Sequence, residues 1–71
     1  MAEAVIEIIL NGETESVPES FSINDLLGQL NVNMRAIAVE LNEQIVPKTA
    51  FETTQLAPGD QLEIVTLVGG G

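Results

Sequence analysis

Cysteine, histidine, tryptophan and tyrosine are all absent from the 71 residues. The chain therefore has no disulfide, no thiol nucleophile, no imidazole base and no Cys/His cluster of the kind that binds zinc. Chains this short bury only about 60% of their unfolded surface, and many depend on disulfides or a structural metal. The stability of this chain must instead come from a regular apolar core, for which 45% hydrophobic residues are available.

Basic residues are almost absent as well. Arg35 and Lys48 stand against eleven acidic residues, which gives a formal net charge of −9. This charge excludes a nucleic-acid partner and disfavours an anionic membrane, because both would repel the chain. The acidity serves solubility, or it steers the chain toward a basic partner surface, and these two interpretations are compatible.

Long hydrophobic runs are missing too. The apolar run from Val5 to Leu10 is interrupted by Glu7 and is too short for a signal peptide, which also needs a basic segment before it. No stretch reaches the roughly 20 apolar residues that span a bilayer. We expect a cytoplasmic protein that is monomeric when alone.

The N-terminal part of the sequence has the pattern of a β-hairpin. Val5 to Leu10 is rich in β-branched residues and alternates between two faces, as strands do. Asn11-Gly12 follows, which is a strong signal for a type I′ turn because both residues tolerate positive φ. Glu13 to Val17 then forms a mostly polar return strand, which we predict at the edge of a sheet.

A helix is predicted from Ser22 to about Asn31. The Ser22 hydroxyl can cap the first turn, and Asp25 is placed to complete a capping box. Gly28 weakens the helix by about 1 kcal/mol relative to Ala, so tertiary packing must hold it. The apolar residues recur at i, i+3, i+4 and i+7, which predicts one buried stripe formed by Ile23, Leu26, Leu27 and Leu30.

Three further stretches have the periodicity of strands, namely Ala36 to Leu41, Gln44 to Val46 and Leu62 to Val68. Tight turns are predicted at Asn42-Glu43 and at Ala57 to Asp60, where Pro and Gly both favour one. The stretch 48–56 has no clean period, and its predicted core anchors are Phe51 and Leu56.

This order of elements predicts an α+β domain of two layers, because one helix covers only one face of one sheet. The sheet is mixed, with four to five strands packed on one α-helix. Residues 1–68 form the domain, and residues 69–71 form a flexible glycine tail. Parallel pairing of the first and last strands would make both central, which fits their apolar residues on both faces. The predicted core between sheet and helix consists of Ile6, Ile8, Leu10, Ile23, Leu26, Leu27, Leu30, Ile37, Val39, Leu41, Leu62 and Ile64.

The remaining side chains do not support conventional catalysis. Ser16, Ser20 and Ser22 have no base to activate them, and the carboxylates are scattered over predicted exposed faces. The terminal glycine run cannot cradle phosphate as a P-loop does, because no helix follows it. We predict that the chain is not an enzyme and binds no cofactor or metal. A passive interaction domain with an inert tail remains an alternative.

The C-terminal glycines are the unusual feature of the sequence. Gly69, Gly70 and Gly71 follow a strong predicted strand directly, and we expect Gly71 to present a free α-carboxylate. Without side chains they fit a channel too narrow for other residues, and three extended residues reach roughly 10 Å. The carboxylate is ionised at neutral pH and resists nucleophiles until ATP converts it into an anhydride. A sulfur nucleophile would then give a thiocarboxylate, and a lysine would give an isopeptide bond.

Six short motifs carry a family resemblance: Asn11-Gly12, Val39-Glu40-Leu41-Asn42, Ile45-Val46-Pro47-Lys48, Pro58-Gly59-Asp60, Leu62-Glu63-Ile64-Val65 and Val68-Gly69-Gly70-Gly71. Each motif is weak alone. The Asn-x-x-Ile-Val-Pro-Lys stretch followed by Pro-Gly-Asp and a terminal glycine run is specific as a set. From about Val5 to Gly71 the chain resembles the ThiS family, the sulfur carriers of thiamine biosynthesis. This resemblance implies the ubiquitin-like β-grasp fold.

The resemblance also implies a chemistry for the C-terminus. Gly71 would be adenylated by a ThiF-type enzyme that uses ATP. A sulfur-donating protein would then supply the sulfur that converts the adenylate to a thiocarboxylate. The sulfur would pass to thiazole synthase for thiazole formation. Gly70 and Gly71 match the Gly-Gly end that the family needs. The small subunit of molybdopterin synthase, which shares the fold and this end, and ubiquitin-like protein modifiers remain as alternatives.

We expect these partners to dock on the sheet face away from the helix, while Gly69 and Gly70 thread into their sites. No second layer is predicted over this face, and a contiguous exposed apolar patch commonly marks a partner site. The alternative is that residues 48–56 cover it. The predicted docking face consists of Val5, Ile9, Ala36, Ala38, Val65 and Leu67.

Overall fold

The structure, a computed structural model, describes residues 4–67. Residues 1–3 and 68–71 lie outside the described residues, and with them the predicted domain boundary after residue 68 and the glycine tail. Two short 3-10 helices, Met34–Ala36 and Lys48–Ala50, accompany the regular elements. The strands and the helix are β1 (Val5–Leu10), β2 (Glu13–Pro18), α1 (Ile23–Leu30), β3 (Ile37–Leu41), β4 (Gln44–Val46) and β5 (Gln61–Thr66).

The last strand, β5, lies in the middle of a five-stranded mixed sheet with the order β2-β1-β5-β3-β4. It runs parallel to β1, where Ile9 is opposite Gln61 and Leu10 is opposite Leu62. It runs antiparallel to β3 along the whole length of that strand. The predicted mixed sheet, the parallel pairing of the first and last strands and the edge position of β2 are confirmed.

Two tight turns close the hairpins of the sheet. Asn11 and Gly12 have φ of 51° and 84°, as the predicted type I′ turn requires. Asn42 and Glu43 have φ of 51° and 71°, so a glutamate occupies a left-handed position that favours glycine.

The capping box of α1 is formed as predicted. The Ser22 hydroxyl accepts a hydrogen bond from the Asp25 amide at 3.1 Å, and the Asp25 carboxylate accepts one from the Ser22 amide at 3.0 Å. The helix ends at Leu30 because Asn31 adopts a left-handed conformation, with φ of 60°. Both helix boundaries agree with the sequence prediction.

The core lies between α1 and the inner face of the sheet. The predicted anchors Phe51 and Leu56 are each only 4% exposed, so the irregular stretch 48–56 contributes to it. Val17 is buried although we did not predict it, because it lies opposite Ile6 on the inner face. The buried apolar residues are Ile6, Ile8, Val17, Ile23, Leu26, Leu27, Ile37, Val39, Phe51, Leu56 and Leu62.

Leu30 is the core prediction that is wrong, since its side chain is 37% exposed. It is the last residue of α1, and side chains on a helix lean toward its N-terminus, so no later turn covers it. Leu10, Leu41 and Ile64 are only half-buried and pack against the core from its margin.

Several strand boundaries also differ from the prediction by one or two residues, and β2 extends to Pro18. Ala36 belongs to the 3-10 helix before β3, where the Asn33 side chain accepts a hydrogen bond from the Arg35 amide and caps that turn. β5 starts one residue earlier than predicted, at Gln61, and ends at Thr66.

Replacing Leu27 by Ala should lower the free energy of unfolding by about 2–5 kcal/mol, because the side chain is fully buried and its loss leaves a cavity. The matched control is Leu30→Ala in the same helix, which removes a half-exposed side chain and should cost much less. Urea denaturation of both variants measures the difference. Equal losses would contradict the orientation of α1 described above.

Candidate docking face and C-terminal strand

β5 determines where the chain leaves the sheet. Its neighbours hold it on both sides, and the Leu67 amide still donates a hydrogen bond of 2.6 Å to the Ala36 carbonyl just past its end. Gly71 follows four residues after Leu67 in the sequence. Gly69, Gly70 and Gly71 lie outside the described residues, so their roles in threading and modification stay predictions.

Two asparagine side chains fix β5 in addition to the strand ladder. Asn11 accepts a hydrogen bond from the Ile64 amide at 2.8 Å through its Oδ1 atom. Asn42 accepts one from the Gln61 amide at 3.0 Å and donates one to the Asp60 carboxylate at 3.1 Å. We predicted both asparagines only as turn residues, because nothing in the sequence indicates which strand their amide groups reach.

The outer face of the sheet, which points away from α1, carries an apolar patch at the C-terminal end of β5. Ala38 lies opposite Val65, whose side chain is 46% exposed, and Leu67 beyond them is 50% exposed. Ala36, which bonds to Leu67, is half-buried. We call Ala36, Ala38, Val65 and Leu67 the apolar patch.

The stretch 48–56 does not cover this patch. It packs instead at the start of α1, where the Ile23 amide donates to the Thr54 carbonyl and the Asn24 amide donates to the Phe51 carbonyl, each at 3.0 Å. Phe51 itself belongs to the core. The alternative in which this stretch covers the outer face is therefore not supported.

The strand register divides the predicted docking face. Val5 is exposed and lies four residues before Ile9, whereas Val65 lies four residues after Gln61, the partner of Ile9. At about 3.3 Å per residue, Val5 and Val65 are therefore about 26 Å apart along the sheet. Val5 is not contiguous with the apolar patch, and half-buried Ile9 lies between them.

Ile45 is an exposed apolar residue that does not belong to the predicted docking face. It lies on β4 opposite Glu40, on the outer face, and is 72% exposed. The alternation of side chains within Gln44–Val46 indicates this orientation. Val46 is half-buried opposite Val39 on the inner face, so its neighbour Ile45 must point outward.

Acidic side chains lie beside the apolar patch. Glu40 and Glu63 are directly opposite each other on β3 and β5, and together with Glu43 and Gln61 they line a depression in the surface. We call these four residues the acidic depression. Like charges in opposite positions destabilise a sheet, by up to about 1 kcal/mol. The left-handed backbone of Glu43 adds a second cost at the same place.

Replacing Glu43 by Gly should raise the free energy of unfolding by about 1 kcal/mol, because glycine adopts positive φ without strain. Glu43→Gln is the matched control, since it removes the charge and keeps the strained backbone. Thermal and urea unfolding compare the two variants with the parent. An equal gain in both would assign the cost to charge repulsion and not to the backbone.

The family assignment rests on the whole described domain. The model of the ThiS family matches residues 4–71. The chain belongs to the ThiS family. The sulfur carrier protein ThiS of Bacillus subtilis is 33% identical over 63 residues, which are 87% of this chain and 96% of that protein.

Two further comparisons extend this ThiS relationship. A crystal structure of thiamine biosynthesis protein ThiS from Geobacter metallireducens matches with a TM-score of 0.82 at 32% identity, covering 93% of this chain and all of that one. The implied β-grasp fold is confirmed. A thiazole synthase of Paramagnetospirillum magneticum is 41% identical over 66 residues, or 93% of this chain. The matched region is only 20% of that protein, so this chain corresponds to about a fifth of its length.

No helix among residues 4–67 is long and apolar enough to cross a membrane.

Proposed function

We propose that this chain is a sulfur carrier of thiamine biosynthesis whose C-terminal glycine is the group that carries the sulfur. The observation that carries the proposal is the match to the ThiS family along residues 4–71, together with a relative of nearly the same extent that is named a sulfur carrier protein. This membership favours the carrier over the small subunit of molybdopterin synthase and over a ubiquitin-like modifier. We place its work in the cytoplasm.

The chemistry takes place in partner enzymes. A carboxylate oxygen of Gly71 attacks the α-phosphorus of ATP in a ThiF-type adenylating enzyme, and pyrophosphate leaves. Hydrosulfide released by a sulfur-donating protein then attacks the carbonyl carbon, the bond from this carbon to the phosphate oxygen breaks, and AMP leaves. The product is a thiocarboxylate. With no histidine and no cysteine, the chain has neither a neutral-pH base nor a thiol for these steps.

Thiazole synthase is the proposed acceptor of the sulfur. In Paramagnetospirillum magneticum the relative of this chain is part of a protein that is itself named a thiazole synthase. A carrier joined to its acceptor in one polypeptide supports direct contact between the two, because the linkage raises their effective concentration. We infer that this chain makes the same contact as a separate protein.

The docking surface we propose is the apolar patch with the acidic depression beside it. Both lie on the outer face of the sheet, and the patch contains the last described residue before the chain continues to Gly71. Apolar residues rimmed by charge are typical of a partner surface, and the acidity favours a partner with basic residues around its site. Gly69 and Gly70 would then thread into that site.

Adding one Ala after Gly71 should abolish adenylation without changing the melting temperature. The addition moves the carboxylate by about 3.5 Å, whereas an activating site tolerates a displacement of only about 1 Å. The measurement is ATP–pyrophosphate exchange catalysed by the adenylating enzyme.

Two glycine variants complete this experiment. Gly69→Ala adds a methyl group and leaves the carboxylate in its register, so it is the matched control and should retain exchange. Gly70→Leu should block entry into a narrow channel. Exchange at the parental rate by the extended chain would refute the carrier mechanism.

Replacing Val65 by Asp should weaken binding to the adenylating enzyme by at least about tenfold, because a charge replaces apolar area in the patch. Val5→Asp is the matched control, since it makes the same change on the same face about 26 Å away. Titration calorimetry gives both affinities, and thermal unfolding checks that both variants fold. Equal weakening by the two variants would mean that the docking face is not confined to the patch.

A further inference from the structure

The backbone of β5 directs its hydrogen-bonding groups alternately to the two sides. The Leu67 amide donates to the Ala36 carbonyl, and the Asn42 amide donates to the Gln61 carbonyl, so residues 61, 63, 65 and 67 face β3. Residues 62, 64 and 66 therefore face the side of β1. The Leu62 carbonyl accepts from the Asn11 amide at 2.8 Å on that side.

On the β1 side the pairing stops before β5 ends. The ladder between the two strands extends only to Leu62, because β1 ends at Leu10 and the chain turns away. The Asn11 side chain takes the next amide, that of Ile64, at 2.8 Å. Within residues 4–67, the Ile64 carbonyl and the amide and carbonyl of Thr66 have no hydrogen-bond partner. We call these three groups the open edge.

The open edge is unusual in its position. It belongs to the central strand and not to the outer strands β2 and β4. Thr66 is exposed, so water reaches this part of the strand. An unpaired strand edge is a template for another extended segment, which gains main-chain hydrogen bonds when it adds to the sheet.

We propose that an extended segment of the adenylating enzyme pairs with the open edge of β5, in the space where β1 would continue past Asn11. This inference rests on the function proposed above. The open edge is adjacent to Leu67 of the apolar patch, so a single partner covers both. Backbone pairing also fixes the position of β5 along the partner, five residues before Gly71 in the sequence.

The occupant is the enzyme and not a second copy of this chain. Each copy carries a formal net charge of −9, and Glu63 stands one residue before the open edge. Two such edges brought together would therefore repel each other. A protein with basic residues around its site would instead be attracted to the acidic surface of this chain.

Replacing Thr66 by Pro tests the pairing directly. Proline removes the amide that faces the open edge and leaves the bonds of Val65 and Leu67 to β3 in place, so β5 should tolerate it. Thr66→Val is the matched control, because it replaces the hydroxyl by a methyl group and keeps the backbone amide. The Pro variant should bind the adenylating enzyme about tenfold more weakly than the Val variant in titration calorimetry, since one hydrogen bond is lost and a carbonyl of the partner is left unpaired.

Amide hydrogen exchange of the unmodified chain gives a second, independent measurement. The Thr66 amide should exchange quickly in the free chain and slowly in the complex, whereas the Val65 amide should be protected in both. Equal exchange of Thr66 in the two states would overturn the pairing, as would equal affinities of the Pro and Val variants. Protection of Thr66 in the free chain that increases with its concentration would identify a second copy as the occupant and overturn it as well.

ATP–pyrophosphate exchange with the unmodified chain distinguishes a failure of this proposal from a failure of the proposed function on which it rests. If exchange occurs and the Pro and Val variants bind equally, only the edge pairing fails. If the unmodified chain supports no exchange and does not bind the adenylating enzyme, both proposals fail.

Discussion

β5 must pair with β1 on one side and with β3 on the other for the sheet to be continuous. The two hairpins of the fold, β1-β2 and β3-β4, make no ladder with each other and share only this strand. The inward residue Leu62 stands opposite Leu10 on one hairpin and opposite Leu41 on the other, so the strand also joins the two halves of the core. The apolar patch and the open edge both belong to the same strand.

Local patterns were sufficient for most of the fold. The alternation in β1 and β3, the Asn11-Gly12 turn and the capping box at Ser22 each express a preference of a few neighbouring residues, and the structure contains all of them. The exposure of Leu30 could not be derived in this way, because a helical stripe gives the direction of a side chain but not what covers it.

The candidate site was only partly predictable for a related reason. Alternation assigned Val5 and Val65 to the outer face, but their separation depends on the register of β1 against β5, which is set when the strands dock. The hydrogen bond from the Ile64 amide to Asn11 links residues 53 apart in sequence and has no local signature. The role proposed for Gly71 rests on the family resemblance and on the chemistry of a carboxylate.

The acidic depression has a cost in stability that its proposed role in docking would explain. With only two basic residues in the sequence, most of the carboxylates have no possible partner within the chain. Glu40 and Glu63 nevertheless stand directly opposite each other. Local arrangements that oppose the fold tend to occur where a protein meets its partners. A cationic partner would convert this repulsion into binding free energy.

The central position of β5 has a consequence for the order of events during synthesis. A ribosome delivers the chain from its N-terminus, and residues 61–66 are the last of the sheet to emerge. Until then no strand links the two hairpins, and Leu62 is not yet in place between Leu10 and Leu41. The sheet therefore closes late, through a contact between segments about 50 residues apart, which is a slow kind of folding step.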